Sequence, residues 1–91
     1  MEKVEGEFQD YSSYKDRGMF KLTCDQVMNP YTWKPPIQWS GKVNGIEVKF
    51  VQTSRYANSR ECFDFTGFPK ELEKAIDDII EAIDKKMRKM D

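Results

Sequence analysis

Hydrophobic and polar residues alternate along much of the chain, and the alternation is clearest over residues 37–52, IQWSGKVNGIEVKFVQ. Asn44-Gly45 in the middle of this run is the pair preferred in a type I′ turn, where both residues need a positive φ. A turn there sets Lys42 opposite Glu47 on the polar face of a hairpin. The same register predicts one apolar face, made by Ile37, Trp39, Val43, Ile46, Val48 and Phe50.

Three more segments alternate with the same period of two residues. They are residues 4–9 (VEGEFQ), 19–25 (MFKLTCD) and 61–67 (ECFDFTG). Links rich in turn-forming residues separate these segments from each other and from the hairpin. Together with the two strands of the hairpin, they predict five β-strands.

The period changes near the C-terminus. Over residues 69–90, PKELEKAIDDIIEAIDKKMRKM, apolar residues recur about every 3.6 positions, as in an amphipathic helix. Acidic residues come early in this segment and basic residues come late, as the helix dipole prefers. We therefore predict one long C-terminal helix whose apolar stripe consists of Leu72, Ile76, Ile79, Ile80, Ile83, Met87 and Met90.

These elements indicate an α+β fold in a single domain of 91 residues. A sheet with one apolar face and a helix with one apolar stripe are both buried when the helix lies across the sheet. Because the links are short, neighbouring strands are expected to pair in sequence order. We predict a four- or five-stranded antiparallel meander with one long C-terminal α-helix packed on its apolar face.

A meander places its connections alternately at the two ends of the sheet. The links over residues 26–36 and 54–60 are then expected at the same end. They carry aromatic rings and cations, which are enriched at protein interfaces, on loops that a rigid sheet would hold in place. We predict a partner-binding surface made by Tyr31, Trp33, Lys34, Arg55, Tyr56 and Arg60.

The same links also have a purely structural interpretation. A long link in a small domain can fold back and close the open end of the core. Met28, Tyr31 and Trp33 would then cover the core, and Pro35-Pro36 would stiffen the entry into the next strand. The sequence leaves both interpretations open, for Tyr56 as well as for Trp33.

The C-terminal helix suggests a second contact. Twenty-two helical residues span about 33 Å, whereas a strand of seven residues spans about 23 Å, so the last turns are expected to extend past the sheet. Adaptable methionine side chains there suit contact with a second subunit, which makes Met87 and Met90 candidate dimer contacts. The alternative is a frayed basic tail.

Composition limits the classes of partner and location. With 15 Lys and Arg against 16 Asp and Glu, the formal net charge of −1 gives no global attraction for nucleic acid or an anionic membrane. No apolar run approaches the roughly 18 residues of a membrane span, and the N-terminal MEKVEGEFQD lacks the apolar region of a signal peptide. We expect a cytoplasmic protein without a membrane partner, in which Cys24 and Cys62 are reduced.

Groups suited to catalysis are scarce. The sequence has no histidine, which removes the commonest general base and a common metal ligand. The two cysteines lack the spacing of a zinc site, and the chain has no glycine-rich phosphate-binding motif. We predict no catalytic residue, metal or cofactor. The chain is interpreted as a small non-catalytic binding protein that acts through a protein–protein interface, as an accessory, inhibitor or immunity protein.

Binding of single-stranded nucleic acid, by a dimer, is the alternative function. Bases would stack on Tyr31, Trp33 or Tyr56 while nearby cations meet phosphates. The element order, strands followed by one long C-terminal helix, resembles the Whirly-type single-stranded-DNA-binding fold and implies such a ligand. However, the polar face of the predicted sheet mixes basic and acidic residues instead of forming a basic stripe, which ranks a protein partner first.

Overall fold

The computed structural model describes residues 3–9, 17–26, 31 and 33–89. Five strands form one antiparallel sheet in the order β1-β2-β3-β4-β5. They span Lys3–Gln9 (β1), Arg17–Cys24 (β2), Ile37–Val43 (β3), Ile46–Gln52 (β4) and Phe63–Asp64 (β5). The 3₁₀ segments Arg60–Cys62 and Lys70–Ala75 come before β5 and before the helix α1, which spans Ile76–Arg88. The predicted α+β class, meander order and C-terminal helix are confirmed.

The β3–β4 hairpin has the predicted turn and register. Asn44 and Gly45 have φ values of 53° and 80°, and Val43 pairs with Ile46 while Trp39 pairs with Phe50. Asn44 also joins the turn to the neighbouring strand β2. The Asn44 N–H donates to the carbonyl of Met19 at 2.8 Å, and the Met19 N–H donates to Asn44 Oδ1 at 2.9 Å.

Gly41 lies where the backbones of β2 and β3 leave no room for a side chain. It lies opposite Leu22, and a Cβ atom added to it would lie 2.0 Å from the carbonyl oxygen of Lys21. No side chain fits that distance. Glycine at this position therefore allows β2 and β3 to pair.

The core lies between one face of the sheet and the C-terminal segment. Its aromatic part surrounds Phe50, whose ring centre is 4.8 Å from that of Phe65, 5.9 Å from that of Phe63 and 6.3 Å from that of Phe68. Helix α1 contributes the buried residues Ile76, Ile79, Ile80 and Ile83, which belong to the predicted apolar stripe.

Strand β5 is shorter than the alternation of residues 61–67 predicted. The carboxylate of Asp64 accepts hydrogen bonds from the backbone N–H of Thr66, at 3.0 Å, and from the Thr66 hydroxyl. These bonds close a turn of the kind that Asp side chains favour, and Gly67 follows with a φ of 84°. The chain therefore leaves the sheet after two paired residues.

The helical segment begins differently from the prediction. Pro69 has a ψ of 130° and is not helical, and the next six residues, Lys70–Ala75, form 3₁₀ turns. The α-helix proper has 13 residues. Of all the strands, α1 runs closest to β1, where the inward-facing residues Val4 and Gly6 are small.

The end of α1 is hydrogen-bonded to two strands of the sheet, β1 and β4. Lys86 Nζ donates to the carbonyl of Lys3 at 2.7 Å, at the beginning of β1. Met87 Sδ accepts from Gln52 Nε2 at 3.3 Å, at the end of β4. In the part of the chain described, no helix is long and apolar enough to cross a membrane.

Candidate binding surface

Two links meet at one end of the sheet. The first link, residues 25–36, joins β2 to β3, and the second link, residues 53–62, joins β4 to β5. Because consecutive strands pair antiparallel, both links lie at the end opposite the Asn44-Gly45 turn, as the predicted meander requires. The candidate surface is built on this end.

The side chain of Gln26 holds the end of the first link. Its Nε2 donates to the carbonyls of Lys34, at 2.7 Å, and Pro36, at 3.2 Å. The Lys34 N–H donates back to Gln26 Oε1 at 3.1 Å. Asp25 adds a contact beside it, since its carboxylate accepts from the Gln38 N–H at 3.0 Å. The backbone of Lys34 is thus held from both sides.

The side chain of Gln52 fixes the second link. Gln52 is fully buried, and its Oε1 accepts from Trp39 Nε1 at 3.1 Å. Its Nε2 donates to the carbonyls of Ser54, at 2.9 Å, and Tyr56, at 3.3 Å, in addition to the sulfur of Met87. One buried amide therefore joins the sheet, the second link and the end of α1.

Five of the six predicted binding residues are exposed on these links, and four of them, all but Arg60, form the candidate surface. Tyr31 is 90% exposed and Tyr56 is 72% exposed, and Lys34 and Arg55 are exposed as well. We call Tyr31, Lys34, Arg55 and Tyr56 the loop rim. The hydrogen bonds of Gln26 and Gln52 hold the backbone of Lys34 and Tyr56, whose side chains are exposed.

Trp33 belongs to the core, with 1% of its surface exposed. Of the two interpretations that the sequence allowed, the structural one holds for this ring, and Trp33 is not available to a partner. Tyr56, in contrast, is exposed to solvent. The indole N–H of Trp33 has no acceptor within the described part of the chain.

Arg60 is exposed but engaged within the protein. Its Nε donates to Asp77 Oδ1 at 3.0 Å, and this hydrogen bond raises the pKa of the guanidinium. The contact ties the second link to the first turn of α1. Arg60 therefore helps to position the link next to the helix.

Met87 and Met90 are the two methionines predicted as dimer contacts. Met87 is partly buried and packs against the core, so little of its side chain remains for a second subunit. Met90 lies outside the described residues. The Arg88–Asp84 ion pair, at 3.0 Å, and the Lys85–Glu81 pair, at 3.6 Å, support the last turns of α1.

A groove of about 640 Å³ lies elsewhere, on the exposed face of the sheet. Ser40, Lys42, Glu47, Lys49 and Thr66 contribute to its lining. The mixture of basic and acidic groups gives it no single charge preference. Among the described residues, no group of three or more cysteine and acidic side chains could hold a metal ion, and both cysteines are free thiols.

Sequence reasoning did not identify the two glutamines that shape the loop rim. A signal existed for Gln52, because it shares the inward parity of Val48 and Phe50 in β4. A polar residue at such a position needs partners. No comparable signal marks Gln26, whose partners depend on the path of the first link.

Comparison with known proteins adds no further indication of function. No protein-family model matches the chain, and neither a curated protein sequence nor a solved structure matches it.

Proposed function

We propose that this protein is a non-catalytic binding protein that docks on another protein through the loop rim. The observation that supports the proposal is the exposure of two tyrosine rings, 90% for Tyr31 and 72% for Tyr56, on links at one end of the sheet. Tyrosine offers a large rigid contact area with a polar tip. Together with arginine it is enriched among the residues that dominate binding energy.

The hydrogen-bonded backbone at Lys34 and Tyr56 strengthens the proposal. Binding loses affinity when loops must be ordered on contact. The hydrogen bonds of Gln26 and Gln52 hold parts of both links before any partner arrives. Less ordering of these segments is then needed on binding, and the tyrosine side chains can fill pockets on the partner.

Single-stranded nucleic acid is the second candidate ligand, because Lys34 and Arg55 accompany the exposed rings. Bases could stack on the tyrosines while the cations meet phosphates. It ranks second because the exposed face of the sheet mixes charges. Lys21 is opposite Lys42 there, but Glu5 lies 3.8 Å from Lys21 and Glu47 is opposite Lys42.

The test is affinity capture from nuclease-treated extract of the source cells. Wild-type protein and the variant Tyr31→Ala/Tyr56→Ala serve as baits, with Met19→Ala as the matched control. Met19 is 66% exposed on β2 and away from the loop rim. We expect wild type and the control to capture the same protein, and the tyrosine variant to lose it.

Two results would overturn the proposal. Capture by the tyrosine variant at the wild-type level would show that the loop rim is not the contact. Loss of all capture on nuclease treatment would favour nucleic acid as the ligand.

A further inference from the structure

The last turn of α1 lies at the same end of the molecule as the loop rim. Gln52 Nε2 donates to the carbonyl of Tyr56 and to the sulfur of Met87, both at 3.3 Å. Lys86 reaches the backbone of Lys3, where β1 begins. The beginning of β1, both links and the end of α1 therefore form one continuous surface.

This surface carries an excess of positive charge. We call it the basic pole and define it by six cations: Lys3, Lys34, Arg55, Lys86, Arg88 and Lys89. Four carboxylates lie on the same segments, namely Glu5, Asp25, Glu61 and Asp84, and Arg60 of the second link is already paired with Asp77. Six cations and four carboxylates leave a formal charge of +2 on these described residues, in a chain whose formal net charge is −1.

These segments therefore carry a local positive excess that the nearly neutral net charge of the chain does not reveal. Lys3 lies 3.4 Å from Glu5 and Arg88 lies 3.0 Å from Asp84, so these two carboxylates partly offset the excess. In the sequence, the exposed cation Arg55 directly precedes Tyr56, and the exposed cation Lys34 lies three residues after Tyr31. A local excess of one sign attracts a partner surface of the opposite sign.

We propose that the partner presents an acidic protein surface, with carboxylates that face the basic pole and apolar pockets that receive the rings of Tyr31 and Tyr56. This inference rests on the proposed function and adds the chemistry of the partner. Arginine pairs with carboxylates in a bidentate manner, and complementary charge increases the rate of encounter.

The carboxylates within the pole favour a protein over a nucleic acid. A bound strand presents a phosphate at every nucleotide and is usually held by a continuous positive groove. Glu5, Asp25 and Asp84 interrupt such a path. Carboxylates on a folded partner are discrete, so they can face Lys34 and Arg55 and avoid these acidic positions.

The experiment measures binding of two labelled probes by fluorescence anisotropy. One probe is a fluorescein-labelled peptide that alternates glutamate with leucine and glycine, and the other is an oligothymidine of equal charge. We expect the peptide to bind more tightly than the oligothymidine. We also expect its affinity to fall at least about tenfold between roughly 50 and 300 mM salt, because screening weakens exposed charge pairs.

Two charge variants show where the peptide binds. Lys34→Gln/Arg55→Gln/Lys89→Gln removes three charges from the basic pole, and Lys21→Gln/Lys42→Gln/Lys49→Gln removes three from the exposed face of the sheet. We expect the pole variant to bind the peptide at least about tenfold more weakly, and the sheet variant to stay within about twofold of wild type. Equal losses, no peptide binding, or tighter binding of oligothymidine would overturn the inference.

The capture experiment separates this inference from the proposed function. If the pole variant still captures the natural partner while Tyr31→Ala/Tyr56→Ala does not, the loop rim is the contact and the acidic chemistry is wrong. If both variants lose the partner and Met19→Ala keeps it, the rings and the charges act together, as proposed. Self-association of the wild type that the pole variant abolishes would identify a second copy as the partner and would also overturn the inference.

Discussion

At the scale of single residues, the shape of the loop rim depends on side-chain amides within the links and the sheet. Gln26 holds the carbonyls of Lys34 and Pro36, and Gln52 holds those of Ser54 and Tyr56. Buried polar groups that lose a partner are costly. The binding surface should therefore be sensitive to residues that do not themselves face solvent.

Replacing Gln52 with methionine tests this dependence. Gln52→Met has a similar length but leaves the buried Trp39 indole N–H and the half-buried carbonyl of Ser54 without this partner. We expect the free energy of unfolding to fall by about 1–3 kcal/mol, measured by equilibrium urea denaturation. Gln38→Met, on the exposed face of the same hairpin, is the control and should change it by less than about 0.5 kcal/mol. Equal effects would contradict the role given to Gln52.

A second prediction at this scale concerns the close pairing of β2 and β3 at Gly41. Gly41→Ala would put a methyl group 2.0 Å from the carbonyl oxygen of Lys21, so β2 and β3 would have to separate. We expect a loss of about 3 kcal/mol or more in the free energy of unfolding, measured in the same denaturation assay. Ser40→Ala is the matched control on the adjacent exposed position. Stability of Gly41→Ala close to that of the control would show that the two strands are not so tightly paired.

At the scale of elements, the end of β5 depends on an ionised carboxylate. The Thr66 hydroxyl and backbone N–H, in that order, lower the pKa of Asp64. Because this pKa is lower in the folded chain, the bonds stabilise the fold above the unfolded value of about 3.9. That contribution is lost as the pH falls through the lower folded pKa.

Thr66→Val removes the hydroxyl and keeps the backbone donor. We expect the pKa of Asp64 to rise toward its ordinary value, measured by NMR titration of the Asp64 carboxyl carbon. Thr53→Val, at an exposed site outside this turn, should leave the titration unchanged. If Asp64 titrates identically in wild type and Thr66→Val, the hydroxyl does not hold the turn.

The elements also show what the sequence could and could not predict. The Asn44-Gly45 hairpin was predictable in register because few residue pairs tolerate two positive φ values. The early end of β5 was not predictable, because the alternation continues to Phe65. The strand ends earlier because the Asp64 carboxylate binds the backbone N–H of Thr66 and turns the chain out of the sheet. The 3₁₀ start at Lys70–Ala75 was missed because its apolar spacing also fits an α-helix.

At the scale of the whole molecule, the meander places both links and the end of α1 at one end of the sheet. Element order and strand pairing were enough to predict that the links share this end. Whether Trp33 or Tyr56 faces solvent was not predictable, because side chains in a link do not alternate between two faces as they do in a strand. The charge of the basic pole was also missed, since it combines residues from β1, both links and α1 that are distant in sequence.

The central claim is that the Tyr31 and Tyr56 rings lie outside the core that contains Trp33. The most direct test is the free energy of unfolding of Tyr31→Ala/Tyr56→Ala, measured by urea denaturation beside Trp33→Ala. We predict a loss of less than about 1 kcal/mol for the tyrosine variant and of about 3–5 kcal/mol for Trp33→Ala. A loss in the tyrosine variant as large as that of Trp33→Ala would put the rings in the core and contradict the account.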